Sequence, residues 1–124
     1  MAYLTDRKRA VGLGSAKTGT EHFWNMTVSS VALVILVPLF VFTIGPVLGA
    51  PYEEAVLYFG RPFPAVVAGL TLVVGMLHFK NGIRVAIEDY CEGLTRQSLI
   101  IAMTCLSYAV IATGLLALVR LALD

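Results

Sequence analysis

The sequence predicts an all-α integral membrane fold: three helices that cross a bilayer, with the N-terminus on the cytoplasmic side and the C-terminus in the periplasm. Three observations point there. Of the 124 residues, 58% are hydrophobic and 14% charged, against about a quarter charged and roughly 45–50% apolar in a soluble domain. Three stretches, Phe23 to Tyr52, Pro62 to Phe79 and Gln97 to Val119, contain no Asp, Glu, Lys or Arg, and about 20 apolar residues suffice to cross the hydrocarbon core. The basic residues are also unevenly placed. Arg7, Lys8, Arg9 and Lys17 precede the first run, and Lys80, Arg84 and Arg96 lie between the second and third, whereas only Arg61 and Arg120 fall on the other side. That is the positive-inside pattern, and the net charge of +1 hides it.

Residues 1–24 read as a polar cytoplasmic arm carrying Gly12, Gly14 and Gly19, which ends where Phe23 and Trp24 reach the headgroup level. The apolar run that follows is too long for a signal-peptide core of about 7–15 residues, so it is expected to stay in the mature chain. The first membrane helix is expected at about 25–48, with Pro38 as a possible mid-span kink because proline cannot donate its backbone hydrogen bond. Gly45, Pro46, Gly49 and Pro51 mark its exit. The second helix is expected at about 62–87, opening on Pro62 or Pro64, residues suited to a first turn. Its uncharged part is short, so Lys80 and Arg84 are expected to snorkel toward the cytoplasm. The third helix is expected at about 98–121. Together the chain forms one membrane anchor domain, 1–124, with loops too short for a separate soluble domain. A bacterial inner membrane is the expected location, and no nucleic-acid partner is expected. Cys91 and Cys105, the only cysteines, lack the paired spacing of a zinc site and read as small packing residues.

An ionisable residue inside a membrane span is costly and marks a functional site by default. Only His78 qualifies. At 100° per residue, Thr71, Gly75, Gly82, Val85 and Asp89 share its helix face, so the histidine lies between two glycines on a face that ends in an acid. A haem suits such a face, because imidazole is a standard axial ligand and a wide macrocycle needs small neighbours. Arg84, Lys17 and His22 are candidates to pair with haem propionates. The plainer alternative makes His78 a hydrogen bond between helices and the glycines mere packing aids. Asp89 and Tyr90 lie about 16 Å along the axis from His78. An acid beside a phenol can supply a proton and hydrogen-bond a carbonyl, as quinone reduction requires; alternatively they are an interfacial tyrosine and a solvated acidic turn. His22 reads equally as a wet interfacial residue.

The stretch HFKNGIRVAIEDY, with ten residues between His78 and the Asp89-Tyr90 pair, resembles the small hydrophobic anchor subunits of succinate:quinone oxidoreductase, respiratory complex II. Gly82 and the entry sequence GSAKTGTEHFW extend the resemblance to the alphaproteobacterial and mitochondrial branch. The resemblance implies that His78 is one axial ligand of a haem b whose other ligand comes from a cytochrome b anchor subunit. It implies that Tyr90 hydrogen-bonds a ubiquinone carbonyl with Asp89 supporting the site, and that His22 lies near the propionates. Electrons would come from succinate through FAD in a flavoprotein subunit and iron-sulfur clusters in an iron-sulfur subunit. This chain has motifs for neither group, so it is not catalytic alone. It departs from the family pattern at one place: an arginine is common early in the first helix, whereas Met26 to Ser30 here reads MTVSS. Two other functions remain open at this level, a fumarate reductase anchor and a small non-redox assembly or transport subunit.

Overall fold

A computed structural model describes residues 3–15 and 18–123, and among these there is no strand. A short helix α1, Asp6–Val11, stands in the N-terminal arm, which the sequence reading left without structure. The Thr5 hydroxyl caps it by accepting the Lys8 N–H at 3.3 Å, Asp6 complements the positive end of its dipole, and Gly12 ends it at φ +54°.

Helix α2, Gly19–Ile44, starts before the expected Asn25. Phe23 and Trp24, expected at the boundary, are already helical. A chain entering the bilayer must satisfy its own backbone groups before water is lost, and Glu21 in the first turn favours the N-terminal dipole. Pro38 lies within α2, where it withholds an N–H from the Val34 carbonyl. A 3-10 turn, Gly45–Val47, closes the span.

The expected Glu53-Glu54 loop is a helix, α3, Tyr52–Phe59. Glu53 and Glu54 occupy its first turn, where acids are favoured, and the Tyr58 hydroxyl donates to the Thr43 carbonyl at 2.8 Å. Thus α3 is pinned back onto the end of α2. Gly60 follows, its α-carbon so near the Leu121 carbonyl that an added Cβ would lie 2.8 Å from it.

Helix α4, Pro62–Tyr90, and helix α5, Gly93–Leu123, contain 29 and 31 residues, roughly 44 and 46 Å at 1.5 Å per residue. Both outrun the expected bounds, so α4 carries Asp89 and Tyr90 on its last turn and α5 begins ahead of Ser98. Gly93 makes the tight reversal between them at φ +59°. Helix α4 packs on α2 along one side and α5 along another, while α2 and α5 make no close approach. The three therefore form a row with α4 in the centre. Along the α4–α5 seam, Ser107 is fully buried, its hydroxyl donating to the Met103 carbonyl at 2.8 Å, and Gly114 admits the Leu72 side chain.

All three long helices are long and apolar enough to cross a membrane. Their outer faces carry Val34, Ile35, Phe42, Ile101 and Leu116 in the open, which a bilayer tolerates and water does not. Among the described residues the buried hydrophobic side chains reduce to Val67 and Ile87. Lys80 is held by its neighbour rather than extended freely: its ammonium donates to the Tyr108 hydroxyl of α5 at 3.2 Å and lies 5.0 Å from that ring's centre. Cys91 and Cys105 are both free.

Candidate functional site

Helix α4 positions every candidate residue except His22 and Lys17; Lys17 lies outside the described residues. His78 is half-buried where α4 meets α2. Its Nδ1 is 2.9 Å from the Ser29 hydroxyl of α2, while among the described residues no group is bonded to Nε2. Ser29 in turn donates to the Met26 carbonyl at 3.0 Å. A histidine held by one nitrogen and open at the other has the chemistry to donate a single lone pair in a fixed direction.

The glycines on the histidine's face differ in what they leave room for. A Cβ on Gly82 would meet nothing within 4 Å, whereas one on Gly75 would touch the Leu33 side chain of α2 at 4.0 Å. Space therefore opens on the Gly82 side of the ring, toward the end of α4, and Gly75 seats α2. Further along the same side, a pocket of about 270 Å³ is lined by Thr18, Gly19, His22, Arg84, Val85 and Glu88. It brings together His22 and Arg84, which are 62 positions apart in sequence. Arg84 arrives partly engaged: its Nε donates to Glu88 Oε1 at 2.9 Å, and Arg96 lies 3.8 Å from the same oxygen. One carboxylate between two guanidinium groups leaves an excess of positive charge for an acidic ligand group.

These residues fit a haem by the chemistry of the donor set. One imidazole nitrogen is open for coordination, a glycine clears the adjacent surface, and cationic groups stand further along the side. No group of three or more His, Cys, Asp or Glu side chains that could cage a metal ion occurs among the described residues, so an iron held here would need a ligand from elsewhere.

Asp89 and Tyr90 form no part of this cluster. Both are exposed on the last turn of α4, Tyr90 at 88%, and neither has a hydrogen-bonding partner among the described residues. They present an acid and a phenol outward, side by side, with no enclosing wall from this chain.

Ser29 is the residue that the sequence reading passed over. The signal was there: Thr27, Ser29 and Ser30 interrupt an apolar span at the place where the family's arginine is missing. Helical spacing within α4 cannot reveal a partner on α2, because their contact spans 49 positions of sequence.

Residues 1–118 match the model of the succinate dehydrogenase/fumarate reductase transmembrane subunit family. The chain is also similar to the succinate dehydrogenase hydrophobic membrane anchor subunit of Paracoccus denitrificans, with 49% identity over 99% of this chain and 95% of that protein. No solved structure matches it.

Proposed function

The chain belongs to the succinate dehydrogenase/fumarate reductase transmembrane subunit family and is a membrane anchor of succinate:quinone oxidoreductase; within that complex we propose that His78 would supply one ligand to a shared haem b and that Tyr90 and Asp89 would form one edge of the ubiquinone site. The anchor is multi-pass, and a bacterial inner membrane fits its Paracoccus relative. It associates with the other subunits of the complex, which by this reading are a cytochrome b anchor subunit, an iron-sulfur subunit and a flavoprotein subunit. The similarity to a succinate dehydrogenase subunit favours the succinate-oxidising direction over a fumarate reductase.

The observation that carries the reading is the His78 geometry, with Nδ1 tied to Ser29, Nε2 free and open space beside Gly82. A bound haem supplies an iron that can hold and pass one electron. The chain's part would be to hold the group through His78 Nε2, with α4 kept close to α2 through Gly75 and with His22 and Arg84 available to acidic ring substituents. At the end of α4, Tyr90 donates its phenolic proton as a hydrogen bond to a quinone carbonyl, while Asp89 holds or relays a proton beside it. The exposure of both residues supports a site closed by another subunit.

The direct test is His78→Leu in the assembled complex. The dithionite-reduced spectrum should lose or weaken its b-type haem band; an unchanged band in a complex containing all its subunits would overturn the ligand assignment.

A further inference from the structure

We propose that Ser29 is a positioning residue for haem ligation: its hydroxyl oxygen accepts the Nδ1–H of His78 and so holds the imidazole in the tautomer and orientation that present Nε2 to iron. The inference deepens the haem reading of His78 and rests on it.

The assignment follows from proton counting. A serine hydroxyl has one proton and two lone pairs. Ser29 Oγ lies 3.0 Å from the Met26 carbonyl, which can only accept, and 2.9 Å from His78 Nδ1. With its proton given to Met26, the oxygen can meet Nδ1 only by accepting from it. Ser30 also turns its hydroxyl to the Met26 carbonyl, at 2.8 Å, so both protons point back into the α2 backbone. Protonated Nδ1 leaves Nε2 with its lone pair, the form that can coordinate a metal. Ligating histidines commonly donate the other ring N–H in this way, which fixes the ring and raises its basicity. The support comes from α2, whereas the ligand is on α4. Ligand geometry therefore depends on the packing of those two helices, which Gly75 allows by seating Leu33.

Removing the oxygen should have two effects. The ring, free to turn, should hold haem about tenfold or more weakly, the usual scale for losing such an outer partner. The less basic imidazole should donate less electron density to the oxidised iron, so the midpoint potential should rise. A simple truncation to alanine is a poor test. Ser29 borders a pocket of about 400 Å³ that is also lined by Asn25, Lys80 and Asn81, where water could replace the lost acceptor.

The decisive pair is Ser29→Thr and Ser29→Val, nearly the same shape with and without the hydroxyl, studied in the whole complex by haem content per complex and potentiometric titration. Ser29→Thr should keep native haem content and potential; Ser29→Val should show weakened haem retention and a raised potential. Equal content and potential in the two variants, or a lowered potential in Ser29→Val, would overturn the proposal. If Ser29→Val fails to assemble, Ser29→Cys takes its place, since sulfur is a weak acceptor of similar shape: a raised potential supports the assignment and a native one overturns it. His78→Leu separates the two readings. Loss of haem there with no difference between Ser29→Thr and Ser29→Val rejects Ser29 alone, and retained haem there rejects His78 as ligand together with Ser29 as its support.

Discussion

His78 and Tyr90 lie on the same helix yet depend on their surroundings in opposite ways. His78 is held from within the chain, by Ser29 on a neighbouring helix; Tyr90 is 88% exposed. Under the proposed roles, a ring that would meet iron at one angle needs an internal support, whereas a phenol that would meet a diffusing quinone can be enclosed by a partner. Tyr90→Phe therefore removes one hydroxyl and little packing. It should lower succinate-to-quinone electron transfer about tenfold or more, as expected for a hydrogen bond to a group gaining charge, roughly 1.5–3 kcal/mol. Succinate oxidation measured with a soluble dye should stay at the native rate. Equal loss in both assays would mean misassembly rather than a quinone contact.

The elements divide into those whose bounds follow from local chemistry and those set by packing. The uncharged runs locate α2, α4 and α5, but α2 starts ahead of its run, α4 continues past its run and α5 overruns both ends, because backbone groups near a bilayer must remain bonded. Helix α3 shows the other case. Its eight residues read as a loop flanked by Pro51 and Gly60, and the Tyr58 bond to the Thr43 carbonyl helps to hold it in place. Its far end presses on α5 through Gly60, where an added Cβ would lie 2.8 Å from the Leu121 backbone oxygen. At Gly114, by contrast, the obstacle is the end of the flexible Leu72 side chain. Gly60→Ala should therefore destabilise the purified complex by about 1–3 kcal/mol, the range for overpacking, and more than Gly114→Ala does. Thermal unfolding of the two variants tests the order, and a greater loss in Gly114→Ala would contradict it.

At the scale of the whole molecule, three helices in a row bury few side chains, and apolar surface faces outward on all of them. Such a row is suited to be half of a larger bundle, in keeping with an anchor of a multi-subunit complex and with the proposal that its haem and quinone sites are completed by another subunit. The basic residues predict its sense. With Arg7, Lys8, Arg9, Arg84 and Arg96 at one end and Arg61 and Arg120 at the other, the second end should be periplasmic. Alkaline phosphatase fused to the C-terminus should be active, and green fluorescent protein fused there should be dark; the reverse result would invert the topology.

What the sequence determined by itself was whatever depends on composition and spacing along one chain. That covers the number of spans, because charge-free runs must be long enough to cross lipid, and the face of α4 that carries His78, because helical geometry is fixed at 3.6 residues per turn. What only the tertiary structure decided was which groups from different helices meet. Ser29 reaches His78, His22 joins Arg84 in one pocket, and Gly82 opens on space while Gly75 does not, because the packing of α2 on α4 sets these contacts and no spacing within either helix encodes it.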